Sequence, residues 1–218
     1  MVLRKFFIAF AVLFLLGAIC LTIVTLHTPS QNLIIKSYNQ VRVSFLNGGG
    51  SDCIKELSRR NVKFQSLGDQ ADGICKVKNG VRISSFADTT FNGAIILSCP
   101  TAIRVDDWLR EIKARRITHI GSYNCRTQRN NKIMSEHSFG NALDIVSING
   151  AVFERDWQNN TPKRQLLKQS YDAACHIFSN VIGPDDSALH AKHLHLDNGF
   201  GFGCILKPIK QSLIKHLK

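Results

Sequence analysis

Two short stretches constrain this chain more than anything else in it. Ser135-Glu-His137-Ser-Phe-Gly140-Asn-Ala142-Leu-Asp144 and His190-Ala-Lys-His193-Leu-His195 lie about fifty residues apart. Together they hold four of the eight histidines and an aspartate, at spacings that can build one metal site. In His193-Leu194-His195 the histidines are two apart, so on a strand both point to one face. One imidazole can then bind a metal while the other sits beside a bound water. His137 and Asp144 are seven apart, too far for one short strand to aim both at a point. Gly140 permits a turn between them, and the small Ala142 lets the chain pass close. Asp144 then enters a strand flanked by Leu143, Ile145 and Val146, where a carboxylate is costly unless paired or coordinating. His27, His119, His176 and His216 read as ordinary packed or solvated histidines.

The N-terminus bounds where such a site would work. Arg4 and Lys5 precede an uncharged apolar run, Phe6 to Leu26, whose 21 residues suffice to cross a bilayer as a helix. Leu21 to His27 offers no clean small-x-small cleavage site. Residues 1–27 therefore read as an uncleaved membrane anchor with its basic end in the cytoplasm. A cleaved signal peptide is the alternative and leads to the same compartment. Cys20 falls inside this run. The other six cysteines, Cys53, Cys75, Cys99, Cys125, Cys175 and Cys204, are too widely spaced for a zinc finger. In an exported domain they read as three disulfides, with Cys53–Cys75 a plausible local pair and the rest unassigned. The net charge is +12, and +10 remains once Arg4 and Lys5 are set aside. That surface favours anionic partners such as headgroups or acidic wall polymers. No basic run is interleaved with aromatics, so a nucleic-acid partner is not expected.

The remaining pattern is α+β: a small, mostly antiparallel sheet with helices outside it. Residues 28–50 read as a linker, with a short strand at Val41–Phe45 and a flexible break at Asn47–Ser51. Ser51 or Asp52 can cap a helix to Arg59. Val62–Phe64, Cys75–Val77 and Val81–Ile83 look like short strands. Pro100 suits the first turn of a helix to about Arg115, with Ile103, Trp108 and Ile112 on its apolar face. Strands are expected at Ile117–Ile120, Leu143–Val146 and Leu194–Leu196, with a loop from Asn124 to Asn131 and a turn at Asn149-Gly150. Thr161-Pro162 starts a helix to about Ser179 whose face of Leu167, Tyr171, Ala174, Cys175 and Phe178 turns inward. The domain spans 51–206, and 207–218 form a basic amphipathic tail.

The motif Ser135-x-His137-x-x-Gly140-x-Ala142-x-Asp144 followed by His193-x-His195 resembles the zinc peptidases of the lysostaphin, D-Ala-D-Ala peptidase and hedgehog group. The triplet His190-x-x-His193-x-His195 is most similar to the penicillin-insensitive murein endopeptidases. A longer pattern resembles the bacterial extensin-like C-terminal domain family. It comprises Gly121-Ser-Tyr-Asn-Cys125-Arg126, Asp156-Trp157, Cys175-x-x-Phe178, Gly183-Pro184 and His193-Leu-His195-Leu-Asp197, over roughly residues 50 to 204. The resemblance implies a fold like those peptidases and a zinc ion held by His137, Asp144 and His195. It implies His193 as the base and His190 as a supporting histidine. It also implies Arg126 as a substrate-binding group, although the Asn124-Cys125 insertion departs from the usual order there. Ser135 is open between a position near the metal and a turn residue.

The expected function is a zinc-dependent peptidase acting on peptidoglycan stem peptides, anchored in the inner membrane and facing the periplasm or exterior. The first alternative is a non-catalytic, metal-stabilised domain binding the cell wall. Another is a disulfide-stapled anchor holding membrane to wall by charge. The chain has no proline-rich repeats, so nothing in it suggests a structural wall protein of plants.

Overall fold

Alternating burial in the two strands between residues 75 and 98 sets the architecture. In the computed structural model, residues 51–129 and 132–199 are described. Helix α1 (Ser51–Arg59) buries Cys53 and Leu57. A meander of three strands follows: β1 (Lys63–Asp72), β2 (Cys75–Phe86) and β3 (Thr89–Ser98). Val77, Val81, Ile83 and Phe86 of β2 are buried, while Lys76, Arg82 and Ser84 are exposed.

Helix α2 (Cys99–Glu111) has Pro100 in its first turn, where a missing N–H costs nothing. It carries the chain across to β4 (Arg116–Gly121), which pairs parallel with β3. After the loop comes a 3-10 turn, Glu136–Phe139, and then β5 (Ala142–Ile148). Asn149 and Gly150 both have positive φ, 49° and 83°, and turn β5 back into the two-residue β6 (Ala151–Val152). The short α3 (Phe153–Asp156) leads to α4 (Pro162–Ile177), where Thr161 Oγ1 accepts from Arg164 N at 3.4 Å as the N-cap. Then follow β7 (Asn180–Ile182), a 3-10 turn at Ala188–His190, and β8 (Leu194–Asp197).

The strands form one open, mostly antiparallel sheet of eight, in the order β1-β2-β3-β4-β5-β8-β7 with β6 on β5. The class is α+β as expected, but the sheet is not small. The expected strands Val62–Phe64, Cys75–Val77 and Val81–Ile83 are pieces of two long ones. Their polar stretches hide the continuity because β1 is an edge strand, exposed along most of its length. Strands β3 and β7 were not anticipated. Helix α2 ends at Glu111 rather than Arg115, and its buried face is Ala102, Val105, Trp108 and Leu109, with Ile103 and Ile112 half-buried at its margins. Helix α4 ends at Ile177, two residues early.

The main core lies between one sheet face and the helices. Leu97, Ile117, Leu143, Ile145, Leu194 and Leu196 meet Val105, Trp108 and Leu109 of α2 and Leu167 and Ala174 of α4. Trp108 is fully buried, and its Nε1 donates to Ser170 O at 2.9 Å, joining α2 to α4. A second, smaller cluster of Cys75, Met134 and Phe139 forms with Tyr123 beside it.

The disulfides differ from the expected local pair. Cys53 bonds Cys99, pinning α1 to the start of α2, and Cys75 bonds Cys125, pinning the start of β2 to the loop after β4. Cys53 sits in the main core and Cys75 in the smaller cluster, so nearness in sequence did not bring them together. Cys175 is half-buried against the main core and is also disulfide-bonded. The expected anchor 1–27, linker 28–50 and tail 207–218 lie outside the described residues. Among the described residues no helix is long and apolar enough to cross a membrane.

Replacing Trp108 with Ala should destabilise the domain by about 3–5 kcal/mol, through the cavity it leaves and the lost bond to Ser170 O. The shift in the denaturant midpoint of the oxidised protein measures it.

Candidate metal centre

Four neighbouring strands set one row of residues across the sheet. Gly121 of β4 pairs with Asp144 of β5, Asp144 with His195 of β8, and His195 with Ile182 of β7. Alternation explains why Asp144 and His195 share a face. Leu143 and Ile145 on β5, and Leu194 and Leu196 on β8, point into the main core, so Asp144 and His195 emerge on the other face. Gly121 leaves the space beside them open. A Cβ there would stand 3.7 Å from Asp144 Oδ2 and 3.9 Å from His137 Cε1.

His137 arrives from the 3-10 turn above this row. Ser135 caps the turn, its Oγ accepting from His137 N at 3.4 Å. Ser135 is thus a turn residue, and it also borders the cleft. Gly140 ends the turn with φ 65°, a conformation that costs a side chain. A Cβ there would also lie 2.7 Å from Ser98 N and 2.9 Å from Val77 Cγ1. The backbone passes that close to β3, and Gly140 O accepts from Ser98 N at 2.8 Å. This reversal folds His137 back over Asp144.

The donor atoms of His137, Asp144 and His195 all lie within 4.8 Å of one another. His137 Nδ1 lies 2.5 Å from Ser122 O. A carbonyl only accepts, so Nδ1 carries a proton, and in the neutral ring the lone pair is on Nε2. That Nε2 is buried, makes no hydrogen bond, and lies 3.1 Å from Asp144 Oδ2. In the neutral ring, a cation between Nε2 and Asp144 Oδ2 would satisfy both atoms as a proton does in its absence. His195 Nδ1 lies 2.7 Å from Asp144 Oδ1, and its Nε2 donates to Asp197 Oδ2 at 2.8 Å. Asp197 is held in turn by Asn180 Nδ2 at 2.8 Å and Gly199 N at 2.7 Å. A carboxylate behind a histidine fixes its ring and tautomer, as in many metal sites. Two nitrogens and a carboxylate, with one side open to a cleft, fit zinc of the catalytic type.

Electrostatics agree with the geometry. Burial pushes His195 down, but its hydrogen bonds to Asp144 and Asp197 outweigh that and raise it to about 9. Burial raises Asp144, yet His137 and His195 hold it well below the usual carboxylate range. Burial, with His195 and His193 nearby, pushes His190 down to about 4. Burial also lowers His193. His190 and His193 are therefore neutral imidazoles near pH 7. Their rings lie 4.9 Å apart, and His193 Nε2 is 3.7 Å from Asp144 Oδ1. Arg126 is not in the cluster. It is exposed on the cleft wall, where its Nη1 donates to Thr127 O at 3.1 Å. Its backbone is pinned through Ser138 Oγ, which accepts from Arg126 N at 3.0 Å and donates to Arg126 O.

Sequence reasoning did not assign roles to Asp197 or Ser122. The first had a legible signal, an acid two residues beyond His195 on the same strand face. The second acts through its carbonyl, which no side-chain pattern reports.

The fold and the row define an α+β protein with a His–Asp–His cluster on an open sheet. A family model described as extensin-like protein C-terminus matches residues 51–202, and the chain belongs to that family. No curated protein and no solved structure matches it.

His195 gives a signed pH dependence. Its raised value stabilises the metal-free fold fully below its ordinary 6.5, and this is lost as pH rises through about 9. The depressed Asp144 acts oppositely, stabilising above its ordinary 3.8 and losing that as pH falls further. Metal-free protein should therefore lose stability between pH 6.5 and 9, while zinc affinity rises over the same interval. A proton released on zinc binding near pH 7, read by calorimetry in buffers of different ionisation enthalpy, checks this. Gly140→Ala should cost at least about 1–2 kcal/mol from its φ alone and weaken zinc binding. A combined melting and zinc titration tests it.

Proposed function

We propose that this protein is a zinc-dependent peptidase of the cell envelope, hydrolysing an amide bond in or between peptidoglycan stem peptides. The observation carrying the reading is the grouping of His137, Asp144 and His195, whose donor atoms lie within 4.8 Å of one another, with a neutral His193 beside them. The motif likeness to the lysostaphin and D-Ala-D-Ala peptidase group supports it.

His137 Nε2, the Asp144 carboxylate and His195 Nδ1 would hold the metal, with Asp197 and Ser122 O orienting the two rings. Zinc bound there would supply a Lewis acid and make a water acidic near neutral pH. The chain's own groups do the rest. A water attacking a peptide carbonyl in the cleft needs a base within reach, and His193 Nε2 lies on the open side of Asp144. Being neutral, it accepts that proton and returns it to the leaving amine. His190, its ring tilted against that of His193, brings a buried Nδ1 with no hydrogen bond to the same rim and offers a polar contact to the tetrahedral oxygen. Arg126 borders the cleft for a carboxylate of the substrate.

The location is proposed on two grounds. Disulfides persist in oxidising compartments, and the described residues contain two whole ones. The run Phe6–Leu26 is long enough for an anchor.

The oxidised protein should carry one zinc and release fragments from purified peptidoglycan. His193→Ala should keep the zinc and lower the rate by about 10²–10⁴-fold. His137→Ala and Asp144→Ala should lose the zinc. Zinc without fragments in the unmodified protein would instead favour a metal-stabilised wall-binding domain.

A further inference from the structure

The loop that leaves β4 lies against the turn carrying His137 at every second residue. Ser122 O meets His137 Nδ1, Asn124 N donates to His137 O at 3.2 Å, and Arg126 O accepts from Ser135 N at 3.0 Å. Ser122 Oγ also accepts from Ile96 N of β3 at 3.0 Å. All of these are hydrogen bonds. The covalent tie is Cys75–Cys125, which fastens the loop to the first residue of β2. Its two ends differ. Cys75 is fully buried, packed with Met134 and with Phe139, two residues beyond His137. Cys125 is exposed. Of the other disulfide cysteines among the described residues, Cys53 and Cys99 are buried and Cys175 is half-buried.

Thiol–disulfide exchange needs a sulfur that a thiolate can reach, and exposed bridges are the labile ones. A dithiol reductant can attack Cys125 Sγ, so that Cys75 Sγ leaves and takes up a proton. The second thiol of the reductant then closes on the first and releases Cys125, which takes up the other proton. The protein gains two thiols and the reductant becomes a disulfide. Two thiols need more room than one bond. Cys75 is enclosed by its cluster, so the exposed loop is the side that gives way. Ser122, whose carbonyl orients the His137 ring, is three residues from Cys125.

We propose that Cys75–Cys125 is a redox latch on the metal centre: reduction by a dithiol frees the loop from β2, loosens the hold of Ser122 on His137 and lowers zinc affinity. The inference rests on the metal centre of the proposed function and not on the choice of substrate. Partners that orient a metal-bound histidine contribute about 10- to 100-fold in affinity, so reduction should weaken zinc binding about tenfold. The coupling is reciprocal, so bound zinc must make this bridge harder to reduce by the same factor. For a two-electron couple that factor is about 30 mV.

The oxidised full chain, in detergent, is equilibrated in glutathione redox buffers without zinc and with free zinc high enough to saturate both forms. Thiols are then alkylated and each cysteine is read by mass spectrometry. Cys75 and Cys125 should be alkylated in less reducing buffer than Cys53 and Cys99, and zinc should move their midpoint about 30 mV more negative. His137→Ala should remove that shift. Thiols that merely captured zinc would move the midpoint the other way, so the sign separates the two causes. The double variant Cys75→Ser, Cys125→Ser should keep its near-ultraviolet circular dichroism and bind zinc about tenfold more weakly. Earlier reduction of Cys53–Cys99, a midpoint that zinc leaves in place or raises, or a double variant that unfolds or binds zinc as the unmodified protein does overturns the proposal. A zinc titration of the oxidised protein keeps the two readings apart. No uptake removes the metal centre and the latch together, while uptake with an unmoved midpoint removes the latch alone.

Discussion

A carboxylate placed in the middle of a sheet has to be neutralised, and Asp144 sits at the middle of this one. Its strand neighbours Leu143 and Ile145 belong to the core, so the strand cannot shift to release it. A one-residue slip would bury the carboxylate among leucines and expose the leucines instead. The fold answers with two imidazoles, one from the next strand and one from a turn above. The rest of the site follows from keeping those rings in place.

Much of the surrounding polar structure serves that end. Asn141, between the turn and β5, is fully buried and joins both sides of the molecule. Its Oδ1 accepts from Ser98 Oγ at 3.0 Å, and its Nδ2 donates to Glu136 Oε2 at 3.1 Å. Its backbone O accepts from Asn198 N at 3.2 Å, and Asn198 Nδ2 donates to Thr101 Oγ1 at 3.1 Å. These bonds tie the end of β3 and the first turn of α2 to the turn that carries His137 and to the end of β8 beside Asp197. A buried polar web of this kind loses much when a partner is removed, so its members are sensitive to substitution. The disulfide Cys75–Cys125 does the same from outside, holding the loop whose Ser122 carbonyl sets the His137 tautomer.

Several elements were legible because their signals are local. The cap and proline at Thr161-Pro162, the Asn149-Gly150 turn and the α2 start at Pro100 are set by the dihedral preferences of one or two residues. His193-x-His195 and the glycine between His137 and Asp144 carried the idea of a cation site through side-chain alternation and turn chemistry. The edge strand β1 was foreshortened because it buries too little to alternate. Strand β7 is three residues long and has no period to read.

By itself the sequence determined which groups could do chemistry, where the chain must turn, and which faces of β5 and β8 are apolar. Those depend on residue type and near-neighbour spacing. Only the tertiary structure decided that Gly121, Asp144, His195 and Ile182 share a row, that Cys53 meets Cys99, and that Asp197 stands behind His195. These are matters of which strand lies beside which, and in what register. That choice is settled by burying one face of a whole sheet against its helices, a sum over distant segments that no local pattern contains.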